Sequence, residues 1–183
     1  MAKIVATINI ALNGSCDHTS GIADEEVHDH FTKVIRGSDI ILYGRTTYQL
    51  MEDYWPGLVN KPTGEKSMDD FAVALQNIQK IVFSRTLKSL AWENSALAKR
   101  SLEEEVKSLK KEPGKDVLIG SPSLINELTK LNLIDEYQLC LHPVIAVDGL
   151  QLFKGIQKNL VLKHIKTKRF GAGQTLLYYE RID

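Results

Sequence analysis

The stretch DIILYGRTTYQLM, residues 39–51, changes from one structural pattern to another within two residues. Its apolar run from Ile40 to Tyr43 has the length and composition of a short buried strand. Gly44 and Arg45 follow, and the pattern from Thr46 to Met51 is typical of a short helix. Glycine and threonine are ordinary residues at a strand-to-helix turn, but glycine and arginine at a helix start also suit a bound phosphate. This stretch alone leaves both interpretations open.

The same kind of strand end occurs twice more, after the runs Lys80–Phe83 and Asp116–Ile119. The residues that follow these two runs are Ser84, Arg85, Gly120, Ser121, Pro122 and Ser123. In an open parallel sheet, ligands bind just beyond the carboxyl ends of the strands, where helix N-termini offer N–H groups to anions. Two arginines at two separate strand ends suggest a ligand with well-separated phosphates. Neither a Walker sequence nor a GxGxxG motif is present.

Around these runs the first half of the chain alternates between strand and helix patterns. Lys3–Leu12 is almost continuously apolar, which predicts a central strand covered on both faces. Apolar residues at helical spacing predict a helix that begins at Asp24 and ends at Gly37. Prolines and glycines predict a loop from Tyr54 to Lys66, and Ser67 is the expected N-cap of a helix that extends to Asn77.

The second half continues this alternation and then changes. Ser101 and Glu104 form a capping-box signature for a helix that Pro113 ends, and Ser121 before Pro122 is a standard helix start. Three strand patterns without intervening helices follow: Tyr137–Leu141, Leu160–Lys168 and Gln174–Arg181. The sequence therefore predicts a single α/β domain over residues 1–183, with a mostly parallel central sheet flanked by helices and antiparallel C-terminal strands.

The composition is that of an ordinary globular protein, with 43% apolar and 25% charged residues. Basic and acidic residues balance at 23 each, which argues against nucleic acid or an anionic membrane as the main partner. No apolar segment approaches the roughly 18 residues needed to span a bilayer. Cys16 and Cys140 form no CxxC pattern, so neither a zinc site nor a disulfide framework is indicated. With no signal-peptide pattern at the N-terminus, a cytoplasmic location is expected.

The order and spacing of these segments resemble the dihydrofolate reductase-like superfamily. YGRTTYQLM is similar to the Gly-Arg-x-Thr-aromatic segment of dihydrofolate reductases, and IVFSRTL to their following strand with its Ser-Arg end. VLIGSPSLINELTKLNLIDEYQLCLHPVIAVDGLQLF resembles the signature of the riboflavin-biosynthesis reductase domain, the C-terminal domain of RibD. MEDYWPG is typical of small stand-alone bacterial members. The chain is identified as a member of that family over nearly its whole length.

The resemblance implies a dihydrofolate reductase-like three-layer fold that binds NADPH and assembles as a homodimer. By position, the cofactor-binding residues would be Gly44, Arg45, Thr46, Thr47, Ser84, Arg85, Gly120, Ser121 and Ser123. Ser84 and Arg85 would meet the adenosine 2′-phosphate and so favour NADPH over NADH. Asn13 would lie in the loop near the nicotinamide, where the family usually has Asp-Gly.

Asp24 and His28 are four residues apart, so they could share a helix face. A metal site is not predicted, because His28 and His30 would lie about 200° apart around that helix. The alternative interpretation is that the acidic residues of the first turn interact favourably with the helix dipole. Since this helix borders the substrate pocket in the fold that the resemblance implies, Asp24, Glu26 or His28 could instead face the substrate, and His28 has a suitable intrinsic pKa for an acid group. Asn13, Asp24 and His28 are the candidate catalytic residues.

The resemblance implies a reductase of the 5-amino-6-(5-phosphoribosylamino)uracil reductase type. Two departures keep alternatives open. The turn Gly120-Ser121-Pro122 replaces the family's Gly-Gly, and the carboxylate that grips a pterin should lie four residues before Phe31, where Val27 stands. The alternatives are a reductase of dihydrofolate, of dihydropterins or of another small molecule, and a nucleotide-binding dimer without catalytic activity.

Overall fold

The computed structural model describes residues 2–22, 24–147 and 149–182. Its strands are β1 (Ile4–Ala11), β2 (Ser38–Gly44), β3 (Gln79–Phe83), β4 (Ser95–Leu97), β5 (Asp116–Ile119), β6 (Glu136–His142), β7 (Leu162–Arg169) and β8 (Thr175–Arg181). Its α-helices are α1 (Glu25–Arg36), α2 (Arg45–Asn60), α3 (Lys66–Asn77), α4 (Leu102–Leu109) and α5 (Pro122–Lys130). None of the helices in the described ranges is both long and apolar enough to cross a bilayer.

All eight strands form one sheet in the order β4-β3-β2-β5-β1-β6-β8-β7. The six strands from β4 to β6 are parallel to their neighbours, whereas β8 and β7 are antiparallel. The mostly parallel sheet with an antiparallel C-terminal end is therefore confirmed. The predicted place where the antiparallel part begins was one strand too early, because α5 is the crossover that returns β6 parallel to β1.

Helices cover both faces of this sheet and give the predicted three layers. On the face of α4 and α5, Ile4, Ala6 and Ile8 of β1 share a core with Ile125 and Leu128. Because side chains alternate along a strand, the residues between them belong to the opposite face. There Val5 shares a second core with Tyr48 of α2 and Leu75 of α3.

The predicted end of the helix after β2 was wrong. The expected loop from Tyr54 to Lys66 is helical as far as Asn60, with Pro56 inside the helix. Tyr48 is buried, and the Trp55 ring packs against Phe71 of α3 with their centroids 4.7 Å apart. Trp55 directly precedes Pro56, so this packing holds the helix against α3 beside the proline, and tertiary contacts outweigh the local helix-breaking signal.

The predicted start of α3 was also wrong. The helix begins at Lys66, and Ser67 lies buried inside its first turn instead of capping it. Asp69 organises the preceding turn instead, because its carboxylate accepts the backbone N–H groups of Thr63 and Gly64. The capping box of α4 is confirmed, with Ser101 as its N-cap, although this helix ends at Leu109, before Pro113.

Lys80 in β3 is a fully buried cation within this fold. Its Nζ donates hydrogen bonds to the carbonyls of Gln76, Ile78 and Glu93 at 3.2, 2.9 and 3.1 Å. It also lies 4.4 Å from the centre of the Trp92 ring. Burial lowers the pKa of Lys80 to about 8. The ammonium group thereby joins the end of α3 to the segment that precedes β4.

Candidate functional site

The residues that follow the parallel strands meet at one edge of the sheet. Since β3, β2, β5, β1 and β6 are adjacent and parallel, their carboxyl ends lie side by side in that order. The predicted positions along this edge are Ser84 and Arg85, then Gly44 to Thr47, then Gly120, Ser121 and Ser123, and finally Asn13. The three similar strand ends found in the sequence are thus neighbours in space.

A buried hydrogen bond joins the starts of α2 and α5. The Gly44 backbone N–H donates to the Ser121 Oγ at 2.8 Å, and both residues are buried. A Cβ atom on Gly44 would lie 3.2 Å from the Ser123 Oγ, so a side chain there would crowd the other helix start. Because the Ser121 hydroxyl faces inward, this residue can offer a ligand at this edge its backbone but not its side chain.

Both of these helix starts lack a side-chain cap. Gly44 has no side chain to supply one, and Ser121 makes no capping hydrogen bond to α5. By contrast, Asp24 caps α1 and Ser101 caps α4 through their side-chain oxygens. Backbone N–H groups in the first turns of α2 and α5 therefore lack these side-chain acceptors. Together with the positive ends of two helix dipoles, they form an environment that favours an anion.

Two arginines add positive charge beside these helix starts. Arg45 and Arg85 are both exposed, and within the described ranges neither lies within 4 Å of a carboxylate. The Arg45 guanidinium donates to the Thr86 Oγ1 at 3.3 Å, which links the ends of β2 and β3. Ser84 shapes the turn that carries Arg85, because its Oγ accepts the N–H groups of Thr86 and Leu87.

Asn13 ties together the loops that follow β1 and β6. Its Nδ2 donates to the Ala146 carbonyl at 2.8 Å, and its Oδ1 accepts the Ala146 N–H at 3.3 Å. The side-chain amide thus makes two hydrogen bonds that fix the loop. Its predicted place close to the end of β1 follows from the fold, whereas its catalytic role stays a prediction.

Asp24 and His28 occupy different surroundings on α1. The Asp24 carboxylate accepts the Val27 N–H at 3.2 Å as the N-cap, and its charge acts on nearby His142. His28 lies beside the packed rings of Trp55 and Phe71, with centroids 6.2 and 5.5 Å away. Burial lowers the pKa of His28, so its imidazole is neutral at pH 7. No cluster of three or more His, Cys, Asp or Glu suited to a metal ion occurs in the described part of the chain.

The prediction that β1 is covered on both faces was wrong at Asn9. Asn9 is exposed in the middle of the strand, and Thr7 on the same face is half-buried. Beside Asn9 the neighbouring strand β5 has already ended, because its last residue Ile119 pairs with Ala6, and this contributes to the exposure. The only signal in the sequence is a single asparagine within the apolar run IVATINIA.

Two buried polar side chains at the same edge were also missed. The Ile22 N–H donates to the Nδ1 of His142 at 3.0 Å, and the Nε2 of Gln174 donates to the Ile22 carbonyl at 3.3 Å. Both side chains are buried, and burial lowers the pKa of His142. They fasten the segment that leads into α1 to the ends of β6 and β8.

A cavity of about 470 Å³ lies at the opposite edge of the sheet. It is bordered by Tyr137, Phe153, Leu160 and Leu162. Tyr137 and Leu162 stand at the amino ends of β6 and β7, and no arginine lines the cavity. Ligands of open parallel sheets bind at the carboxyl ends, so we place the candidate site at the edge that carries Arg45 and Arg85.

Comparison with known sequences finds one matching family and two relatives. The family described as the RibD C-terminal domain matches residues 2–176. The Bacillus subtilis protein YyaP, whose function is uncharacterised, is 33% identical over 182 residues, covering 97% of this chain and 94% of that protein. A second uncharacterised Bacillus subtilis protein, YwjB, is 25% identical over 183 residues, covering 96% and 97% of the two chains.

Two solved structures share the fold. A protein from Shewanella sp. PV-4, provisionally named a riboflavin biosynthesis protein, has a TM-score of 0.74 at 20% identity, with 100% of both chains covered. A pyrimidine reductase-like protein from Corynebacterium diphtheriae has a TM-score of 0.66 at 15% identity, covering 100% of this chain and 92% of that one. At these identities the likeness establishes the shared architecture.

Proposed function

The chain belongs to the RibD C-terminal domain family, and on that premise we propose that it is an NADPH-dependent reductase of the 5-amino-6-(5-phosphoribosylamino)uracil reductase type. The observation that carries the proposal is the carboxyl edge of the sheet. There, two uncapped helix starts lie side by side, and two arginines without carboxylate partners in the described chain flank them. This combination suits a dinucleotide that carries several phosphates.

The residues at this edge fit NADPH. The diphosphate would be held by backbone N–H groups of the first turn of α2, at Arg45 to Thr47, and of the residues around the start of α5, at Gly120, Ser121 and Ser123. Glycine at residue 44 lets the two helix starts approach each other closely. Arg85 would bind the 2′-phosphate, assisted by the Ser84 hydroxyl, and this contact would favour NADPH over NADH. When bound, NADPH supplies the hydride that reduces the substrate.

The protein's own part in such a reaction is to bind, orient and exclude water. In the described ranges we find no grouping of a nucleophile with a base that would support covalent catalysis. Asp24 and His28 stay candidates for contact with the substrate. Because burial lowers the pKa of His28, its neutral imidazole suits hydrogen bonding to the substrate better than proton donation at neutral pH.

A pterin substrate fits this chain less well than a pyrimidine. Val27 stands where the pterin-binding carboxylate of dihydrofolate reductases would be, and it is buried among Phe170, Leu176 and Tyr178. A carboxylate in that apolar cluster would be strongly disfavoured. This observation favours the uracil-type substrate over dihydrofolate.

Two measurements on the purified protein test the proposal. In a fluorescence titration, NADPH should bind more tightly than NADH. When the protein is incubated with NADPH and a candidate substrate, the NADPH absorbance should fall with the phosphoribosylaminouracil compound but not with dihydrofolate. Equal affinity for the two cofactors would refute the role of Arg85. Binding of NADPH without turnover of either compound would favour the nucleotide-binding protein without catalytic activity.

The resemblance also leads us to propose a homodimer and a cytoplasmic location. Light scattering coupled to size exclusion tests the first of these directly. A monomeric mass at micromolar protein concentration would contradict it.

A further inference from the structure

Asn9 is an unusual residue for its position in the sheet. It pairs with Cys140 of β6 in the middle of an eight-stranded sheet, yet its side chain is exposed. Ile8, directly before it, is buried on the other face. No hydrogen bond engages the Asn9 amide within the described part of the chain. An exposed polar side chain without a hydrogen-bond partner, on a central strand of the sheet, points to a role in binding.

The exposure of Asn9 results from a gap between α1 and α2. The N-terminal part of α1 packs over β6, where Val27 meets Cys140. The beginning of α2 packs over β2, where Tyr48 meets Tyr43. Strand β1 lies between these two positions, and β5 has already ended beside it. The gap is thus a groove with Asn9 on its floor, beside the proposed cofactor edge.

The wall of this groove on α2 is largely apolar. Thr47, Met51 and Tyr54 lie at helical spacing on the side of α2 that turns toward α1, as the contact between Trp55 and His28 shows. Tyr54 keeps 50% of its surface exposed despite its large ring. Such a surface suits the flat face of a heterocyclic ring.

The charge beside the groove disfavours a phosphate as its occupant. Asp24, the N-cap of α1, lies near this part of β6, where its negative charge acts on Cys140 and His142. The arginines Arg45 and Arg85 belong to the neighbouring edge, at the ends of β2 and β3. A neutral ring therefore fits the groove, while the anionic parts of a ligand fit the edge.

We propose that Asn9 is a specificity-determining residue that pairs with the N–H and C=O edge of a neutral pyrimidine-type ring. Its amide presents a donor and an acceptor in one plane, which matches the acceptor and donor of a lactam or imide edge. The inference rests on the proposed function only in placing the substrate in this groove. It adds the group that would distinguish a uracil-type ring from an analogue without free ring N–H groups.

The test compares two small probes by isothermal titration, 5,6-diaminouracil and its derivative with both ring N–H groups methylated. The unmodified protein should bind the first probe at least about tenfold more tightly, the effect of losing one or two hydrogen bonds. Asn9→Leu should abolish this preference and leave the affinity for the methylated probe unchanged. If Asn9→Leu does not fold, Asn9→Ser, a smaller polar replacement, takes its place and should also lose the preference. Asn77→Leu, at the exposed end of α3 and away from the carboxyl edge of the sheet, is the matched control and should keep the preference.

The outcomes separate this inference from the cofactor proposal. The role of Asn9 would be overturned if both Asn9 variants kept the preference for the unmethylated probe. It would also be overturned if the protein bound NADPH but neither of the two probes. The nicotinamide carboxamide has the same hydrogen-bonding groups, so the NADPH affinity of each variant is measured as well. Weakened NADPH binding with unchanged pyrimidine binding would also overturn the inference. If the protein discriminated between the two probes but did not bind NADPH, the role proposed for Asn9 would be supported and the cofactor proposal refuted.

Discussion

Replacing Ser121 by alanine tests how the candidate site is held together. The change removes the oxygen that accepts the Gly44 N–H at 2.8 Å and leaves a buried backbone donor without its partner. An unsatisfied buried N–H costs about 1–3 kcal/mol of folding free energy. For a chain of this length each kcal/mol corresponds to a shift of about 2–4 °C in Tm, so we expect Ser121→Ala to lower Tm by roughly 2–12 °C.

The assay is urea unfolding followed by circular dichroism, with the free energy of unfolding extrapolated to water. Ser123→Ala is the matched control, because Ser123 belongs to the same helix start but is exposed, and we expect it to change stability by less than about 0.5 kcal/mol. Ser121→Ala should also weaken NADPH binding, since the bond sets the distance between the two helix starts. Equal stability of the two variants would refute the structural role given to the Ser121 hydroxyl.

Three further predictions concern charge, pH and capping. Arg45→Ala should weaken NADPH binding by on the order of 1–3 kcal/mol in a fluorescence titration, whereas Lys111→Ala, beyond the end of α4, should not; an unchanged Kd would remove Arg45 from the site. Burial lowers the pKa of Lys80 from 10.5 to about 8, so the unfolded state binds more protons between these values and stability should rise with pH across that window, by on the order of 1–3 kcal/mol. Urea unfolding at several pH values should show this rise in the unmodified protein, and an equal rise in Lys80→Met would contradict the assignment. Ser101→Ala removes the cap of α4 and should cost about 1 kcal/mol in the same unfolding assay, with no loss of NADPH affinity.

Local sequence signals predicted the elements of this fold well where one signal dominated. The apolar runs of β1, β2, β3 and β5 and the cap at Ser101 are such cases. The helix around Pro56 was predicted as a loop because proline and glycine are strong local signals for a turn. The contact of Trp55 with Phe71, which decides that segment, joins α2 to α3 and is visible only after folding.

The candidate site shows the same division between local and long-range information. The sequence indicated that Gly44, Arg85 and Gly120 follow strands, but only the strand order makes these ends neighbours. The inward direction of the Ser121 hydroxyl depends on Gly44, 77 residues away in the chain. The exposure of Asn9 depends on where β5 stops, which no pattern around Asn9 encodes.

An amide NMR titration of isotope-labelled protein with NADPH tests the central claim most directly, because it locates the bound cofactor on the fold. The account predicts that the changes in amide chemical shift concentrate at residues 44–47, 84–86 and 120–123. These three segments are far apart in the sequence and adjacent at the carboxyl edge of the sheet. Shifts centred on the cavity beside Phe153 and Leu160, or no shifts at saturating NADPH, would contradict it.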